Sequence, residues 1–370
     1  MNDREPFIYI KQMYMKGFFD LEENCKEKII SEDYWDFIIP LYRDEELKEV
    51  NPENVCIQEM DFGYKSVSVD RRILLPLSFR EYWYSTIPKC YALLDMQPLD
   101  AAGIITLQNY PTLQLMGDGI MIGFLDTGID YQNRVFRNLD GTTRIVGIWD
   151  QTIQTGRTPQ GLYYGTEYTE EMINAALRSE DPLQIVPSVD TDGHGTFVAS
   201  AAAGGAEVGK RFLGAAPEAS IAMVKLKPAK NYLKEFFVIA QDAVCYQEND
   251  IMLGLRYLND LARKQGMPLV ICVALGTSFG GHNGDSLLAD ILDIYATVRN
   301  RCVVVGTGNE AARRHHYFNR FTDAQDMRTA EIRVGEGTQS FAVELWSTLP
   351  NIVMVSVTSP SGERTGMIPI

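Results

Sequence analysis

The sequence lacks several features that mark particular classes of protein. Its six cysteines form no CxxC pair, and no histidine stands at metal-ligand spacing from them, which argues against a zinc site and predicts reduced thiols. They are Cys25, Cys56, Cys90, Cys245, Cys272 and Cys302, of which the last two lie in apolar runs and are predicted to be small core residues. No D-x-D-x-D-G run typical of a calcium loop is present. We therefore expect no metal and no cofactor.

Membrane and nucleic-acid partners are also disfavoured. No continuous apolar run approaches the ~20 residues that a membrane helix needs. Charged residues interrupt the N-terminal stretch every few positions, unlike a secretory signal. Basic residues are few, since 34 Lys and Arg face 49 Asp and Glu, and the formal net charge of −15 opposes binding to phosphate backbones and anionic membranes. The sequence thus predicts a protein that is made inside the cell and binds neither nucleic acid nor membrane.

The centre of the sequence contains a series of short apolar runs. Five nearly continuous runs are typical of strands buried on both faces of a parallel sheet: IMIGFL (120–125), RIVGIW (144–149), SIAMVKL (220–226), LVICVAL (269–275) and CVVVG (302–306). Between them, apolar residues recur at helical spacing over 169–179, about 234–264 and 286–300. This alternation across 91–325 predicts an α/β domain with helices on both faces of the sheet. Functional residues are expected beyond the carboxyl ends of the strands.

The two flanking segments have different patterns. Residues 1–90, called the leader below, are rich in acidic and aromatic residues and predict a small α+β unit that is joined by a loop near STIPKCYALLD. In residues 326–370, EIRVGEG, SFAVELW and IVMVSVTSP alternate apolar and polar residues, as antiparallel strands with one buried face do. Three strands are few for an independent sandwich, so we expect an incomplete, jelly-roll-like β module.

Three polar residues carry the chemistry. Asp126 ends a buried run and precedes Thr127 and Gly128, so turn N–H groups can hold its carboxylate where it orients an imidazole. His194 stands between two glycines, ahead of the small residues FVASAAAGG, which predict a tightly packed helix. Asn309 follows VVVGTG and can offer a carboxamide N–H to an oxyanion. Taken singly, each also fits a structural role, as a turn aspartate, a core histidine or an asparagine cap.

Together these motifs resemble those of the subtilisin-like serine proteases. DTG at 126–128, DGHGT at 192–196, ALGT at 274–277 and GTGNE at 306–310 occur in the order of that family. The resemblance spans roughly residues 95–320 and implies a subtilisin-like α/β fold. It implies that Asp126 orients the base, that His194 is the general base and acid, and that Asn309 is the oxyanion donor. It also implies that a substrate-binding segment at Ala274, Leu275 and Gly276 pairs with an extended peptide.

More narrowly, the acidic leader, the absent signal and the β module after the Asn motif resemble the clostridial spore-germination (Csp-type) proteases. This resemblance implies a propeptide-like leader that assists folding and lays its C-terminal end along the substrate cleft. An ordinary N-terminal domain is the alternative. It further implies a location in the cytoplasm or the spore, and a peptide or protein substrate such as the proform of another spore protein.

The nucleophile that the resemblance implies is missing. A GTS-type serine should follow Asn309 at the start of a helix, and the 370 residues contain no such run. GTSFGG at 276–281 has the same letters, but its Ser278 precedes Asn309 and leads into a glycine-rich loop; Ser340, Ser359 and Ser361 stand in or beside predicted strands. In subtilisin, losing the serine costs on the order of 10⁶ in turnover. Two hypotheses follow: a truncated serine endopeptidase that is inactive by itself, or a non-catalytic pseudoprotease with a binding or regulatory role.

Overall fold

The described residues of the leader form a helix and a small antiparallel sheet, which is the α+β composition that the sequence predicts. A computed structural model describes residues 22–40, 51–93, 104, 108, 115–207, 212–310, 313–323, 326–338, 340–348 and 352–369. In the leader these residues form helix α1 (Glu22–Ile30) and strands β1 (Tyr34–Pro40), β2 (Val55–Glu59) and β3 (Tyr64–Asp70). The three strands are antiparallel, in the order β1–β3–β2. The sheet is packed against later parts of the chain, since Val67 and Val69 share a buried cluster with Tyr232 and Leu233.

One disulfide corrects the prediction of reduced cysteines. Cys25 on α1 and Cys56 on β2 are bonded to each other, with 5.2 Å between their Cα atoms, and both are buried. They stand 31 residues apart, and the pair is brought together only when α1 packs on the sheet. Cys90, Cys245, Cys272 and Cys302 are free thiols.

The remaining elements follow in chain order. They are β4 (Cys90–Leu93), β5 (Met121–Asp126), β6 (Ile145–Asp150), β7 (Thr166–Thr169), α2 (Glu170–Arg178), α3 (His194–Ala203), β8 (Ser220–Lys225), α4 (Asn231–Phe236), β9 (Tyr246–Gln247), α5 (Glu248–Gln265), β10 (Leu269–Val273), β11 (Leu275–Gly276), α6 (Leu287–Thr297), β12 (Arg301–Val305), β13 (Met354–Val355) and β14 (Ile368–Pro369).

A six-stranded sheet forms the centre of the molecule, in the order β12–β10–β5–β8–β6–β7. All neighbours pair in parallel except β6 and β7. The five predicted apolar runs are thus five strands of one parallel sheet. Strand β5 shows why its sequence is apolar throughout: Met121 and Leu125 pack into the core under α5, whereas Ile122 and Phe124 pack into the core under α3.

Two predictions for the sheet domain were wrong in detail. The periodic stretch 234–264 is not one helix, because α4 ends at Phe236, Val238 takes a left-handed φ of 59°, and β9 intervenes before α5 begins. Strand β12 is not buried on both faces, because it lies at the edge of the sheet. Cys302 is exposed there instead of lying in the core, and Val304 and Val305 are about half exposed.

A third sheet joins the end of the leader to the central domain. Strand β4 lies between β11 and β9 and is antiparallel to both. Leu93 is opposite Leu275, and Tyr91 is opposite Tyr246. The segment STIPKCYALLD was predicted as a loop, but its residues 90–93 form this strand, because both of its partners come from distant parts of the sequence.

The C-terminal residues contain less sheet than predicted. The described residues of 331–348 form no strand, and β13 and β14 pair in antiparallel orientation further along the chain, within 352–369. A strand requires a neighbouring segment with which its backbone forms a ladder, and no described strand is paired with the described residues of 331–348. Among the described helices, none is both long and apolar enough to cross a bilayer.

Candidate active site

Asp126 and His194 meet at the carboxyl edge of the central sheet. Asp126 is the last residue of β5, and His194 is the first residue of α3. The imidazole Nδ1 lies 2.8 Å from Oδ1 and 3.0 Å from Oδ2 of Asp126. The Asp126 side chain is buried, whereas the His194 side chain keeps 16% of its exposure. A buried carboxylate at Nδ1 selects the tautomer whose other nitrogen, Nε2, can accept a proton.

Small residues allow this contact. A Cβ atom on Gly195 would lie 2.2 Å from the carbonyl oxygen of Gly128 and 3.0 Å from Cβ of Asp126. Gly128 itself has a φ of 125°, which residues with a side chain rarely adopt. The two predicted motifs, DTG and DGHGT, therefore pack backbone against backbone, and this close packing brings the imidazole to the carboxylate.

Asp190 also belongs to the site and was missed in the sequence. Its carboxylate accepts hydrogen bonds from the hydroxyls of Thr127 and Thr196. Burial alone would raise the pKa of Asp190, but hydrogen bonds from Thr196, Gly193 and Thr127 hold it below the ordinary value. In the sequence, Asp190 could have been recognised only by its position, four residues before His194 and just ahead of the DGHGT motif.

The acidic groups also shift the pKa of neighbouring groups. Burial and the charge of Asp126 raise the pKa of the Cys272 thiol to about 11, so this thiol stays protonated at neutral pH. Burial, with Asp126 and nearby aspartates, raises the pKa of Tyr246 above its ordinary value. Burial is the larger cause of both shifts, and the negative charge of Asp126 adds to it.

The other predicted site residues lie at the same edge of the sheet. Asn309 is exposed in the loop that follows the carboxyl end of β12, two strands away from β5. Ala274 and Leu275 are buried at the end of β10 and in β11, and Gly276 is partly exposed. Leu275 and Gly276 pair with Leu93 and Ala92 of β4. The roles of Asn309 and of this segment remain predictions.

The remaining histidines and serines have other surroundings. His282 stacks on His316 with ring centroids 4.4 Å apart, and His315 forms an ion-pair contact with Glu310. Ser278 is exposed in the loop after β11. Ser359 is partly exposed and Ser361 is exposed, and their hydroxyls are hydrogen-bonded to each other. Within the described residues, no group of three or more His, Cys, Asp or Glu side chains is placed to hold a metal ion.

Comparisons with known proteins identify a family and a related structure. A model of the subtilase family of peptidases matches residues 117–364. Among solved structures, the Clostridium perfringens CspB protease matches with a TM-score of 0.57 and 33% identity, over 72% of this chain and 52% of that chain. The chain thus spans about half the length of that relative.

A second solved structure, the S41 psychrophilic protease, matches over 55% of this chain and 50% of that chain at 23% identity, and its TM-score of 0.33 carries no argument. No curated protein matches the chain. The family match and the CspB protease identify the fold as subtilisin-like. The chain therefore belongs to the subtilase family of serine proteases.

Proposed function

We propose that this chain carries the acid–base half of a subtilisin-like serine endopeptidase site. Asp126 orients the base, His194 is the general base and acid, and Asn309 is the side-chain oxyanion donor. The observation that carries the proposal is the 2.8 Å contact between His194 Nδ1 and Asp126 Oδ1, at the carboxyl edge of a parallel sheet. The substrate is a peptide or protein, and the relationship to the CspB protease suggests the proform of another spore protein.

The chemistry follows from the orientation of the ring. With Nδ1–H donated to Asp126, Nε2 can take the proton from an attacking hydroxyl and later return it to the leaving amine. The imidazolium that forms between these steps is stabilised by the buried carboxylate. A carboxamide at Asn309 would donate to the oxyanion of the tetrahedral intermediate. Its position after β12 supports this role, since the carboxyl ends of β5 and β12 share one edge of the sheet.

The substrate would bind as an extended strand. Strand β4 supplies a precedent within the chain, since it fills the space between β9 and β11 by antiparallel pairing. A substrate peptide in the same place would pair with the backbone of Leu275 and Gly276, next to Ala274. Main-chain pairing of this kind provides affinity, and side-chain pockets provide the choice of sequence.

The end of the leader is anchored in this cleft, as a propeptide would be. Glu248, at the start of α5, is fully buried and accepts a hydrogen bond from the N–H of Lys89 at 3.2 Å and from the hydroxyl of Tyr91 at 3.3 Å. The N–H of Glu248 in turn donates to the carbonyl oxygen of Lys89 at 2.9 Å. These contacts support a leader that occupies the substrate position and stays attached.

The 370 residues alone are proposed to be inactive. No GTS-type serine follows Asn309 in the sequence, and Ser278 is exposed in the loop that follows β11. The alternative is a non-catalytic protein that binds peptides with the same cleft. The endopeptidase and the non-catalytic protein would bind peptides in the same way. They differ in whether a coding frame that continues beyond codon 370 supplies a serine.

A serine-directed fluorophosphonate probe tests the proposal. It is applied to the 370-residue chain and to the chain extended by any coding frame that continues beyond codon 370. We expect the first sample to stay unlabelled, and the second to be labelled at one serine in a reaction that His194→Ala abolishes. Labelling of the 370-residue chain would show that it already holds the nucleophile. An immediate stop codon, or an extension without His194-dependent labelling, would favour the binding protein instead.

A further inference from the structure

Asp190 connects the two halves of the Asp126–His194 pair. Its Oδ1 accepts hydrogen bonds from the Gly193 N–H at 2.9 Å and from the Thr127 hydroxyl at 2.8 Å. Its Oδ2 accepts from the N–H of Thr196 at 2.8 Å and from the hydroxyl of the same residue at 2.6 Å. One carboxylate thus holds the residues on both sides of His194 as well as the residue that follows Asp126.

The same connection continues through Thr127. Its hydroxyl oxygen accepts the N–H of Gly195 at 2.9 Å while its hydrogen is donated to Asp190. Thr196 adds a second link, because its hydroxyl oxygen accepts the N–H of Asp130 at 2.9 Å. The turn after β5 and the first turn of α3 are therefore joined by a network in which Asp190 is the common acceptor.

All four groups that face Asp190 are donors, so the network requires an ionised carboxylate with two acceptor oxygens. An asparagine would turn an NH₂ group toward donors on one side and lose those hydrogen bonds. A negative charge near the start of a helix is also favourable. The His194 ring is mostly buried. Its orientation relative to Asp126 is set by the backbone on either side of it, at Gly193 and Thr196, and this backbone donates hydrogen bonds to Asp190.

We propose that Asp190 is a positioning residue that keeps the His194 imidazole against Asp126. The proposal rests on the proposed function, because the contact between His194 and Asp126 that Asp190 would maintain is the one that the acid–base role requires. Catalytic groups must be held within a fraction of an ångström of the productive geometry. Asp190 meets this need through the backbone on both sides of His194, without contact with the substrate.

Asp192 provides a matched control. It is also acidic and stands two residues from Asp190. Within the described residues its carboxylate accepts one hydrogen bond, from the His194 N–H at a long 3.3 Å. Among the described residues no hydrogen bond joins Asp192 to Thr127 or Thr196, so Asp192→Asn changes the same charge at nearly the same place and leaves the network intact.

The experiment measures the tautomer of His194 in the full 370-residue chain. With ¹⁵N-labelled histidine, NMR reports which ring nitrogen carries the proton, and the His194 signal is assigned by its loss in His194→Ala. We expect the Nδ1–H tautomer to dominate in the wild type and in Asp192→Asn. In Asp190→Asn the ring should sample the Nε2–H tautomer as well, with circular dichroism showing that the chain stays folded.

A second variant covers the case in which Asp190→Asn does not fold. Thr196→Val keeps the backbone N–H at position 196 and removes the hydroxyl, which donates to Asp190 and accepts from the Asp130 N–H, and we expect the Nδ1–H preference to fall by about tenfold, the order of magnitude of a hydrogen bond's net worth. If both variants keep the wild-type signal, Asp190 does not position the ring, and the proposed function is unaffected. If the wild type itself shows no Nδ1–H preference, the Asp126–His194 contact fails and both proposals fall.

Discussion

Asp36 in the leader forms an ion pair with Lys230 of the central domain, with 2.8 Å between Oδ2 and Nζ. Both side chains are almost fully buried. Asp36 also accepts hydrogen bonds from Gln247 at 2.9 Å and from Ser68 at 2.5 Å. Burial lowers the pKa of Lys230, while the charge of Asp36 raises it in partial compensation. The leader thus contacts the central domain through an ion pair that is shielded from water.

Asp36→Ala should therefore be costly. It leaves Lys230 buried without its partner, and we expect the free energy of unfolding to fall by about 3–5 kcal/mol, measured by urea denaturation. The control is Asp33→Ala, which removes an exposed ion pair with Arg71 and should cost about 0–1 kcal/mol. Equal losses in the two variants would mean that the buried pair does not hold the leader in place.

Gly195→Ala should disrupt the packing of the two motifs. The added Cβ would lie 2.2 Å from a backbone oxygen that cannot move alone, so we expect a loss of about 3 kcal/mol in the free energy of unfolding. Gly193→Ala is the comparison, because a Cβ there meets nothing within 4 Å and only its φ of 90° is strained. That strain should cost about 1 kcal/mol. If Gly195→Ala lowers the free energy of unfolding no more than Gly193→Ala does, the backbone of Gly195 does not lie as close to the Gly128 carbonyl oxygen as the structure shows.

The stability that Asp190 contributes should depend on pH. Its pKa in the folded protein lies below the ordinary 3.8, so the ionised carboxylate contributes in full above that value and loses its contribution as the pH falls through the folded pKa. We expect the difference in unfolding free energy between wild type and Asp190→Asn to be constant above about pH 5 and to shrink below about pH 4. Thermal melts of both proteins across this range measure it. A difference that grows in acid would have the wrong sign.

Reduction should loosen the leader. The Cys25–Cys56 bond closes a loop across a separation of 31 residues, for which the loss of chain entropy on cross-linking predicts about 3–4 kcal/mol of stabilisation. Urea unfolding with and without a phosphine reductant should show this difference in the wild type. In the double variant Cys25→Ala with Cys56→Ala, the reductant should have no effect. Equal stability of the reduced and oxidised wild type would show that the bond does not form in solution.

Much of the fold was readable in the sequence because it depends on local patterns. Strands buried on both faces must be apolar at every position, so runs such as IMIGFL and SIAMVKL could be recognised without knowledge of their neighbours. The helix beginning at His194 follows from small residues with high helix propensity. The resemblance to the subtilisin-like proteases rested on short motifs of the same local kind, and the match to the subtilase family confirms it.

The errors arose where a residue's surroundings come from distant parts of the chain. CVVVG has the composition of a central strand, yet its place at the sheet edge leaves Cys302 exposed. The segment at residues 90–93 was predicted to lie in the loop between the leader and the central domain, yet β9 and β11 make it a strand. Neither outcome is encoded in the residues themselves.

The sequence by itself determined the five parallel strands of the central sheet, the helices α2, α3 and α6, and the choice of Asp126 and His194 as a pair, because periodicity and motif spacing are properties of a few neighbouring residues. Only the tertiary structure decided that Cys25 bonds to Cys56, that Asp36 pairs with Lys230, and that Asp190 accepts hydrogen bonds from residues beside both Asp126 and His194. Each of these depends on distances between groups that are far apart along the chain. Such distances are set by how the elements pack, which no local pattern records.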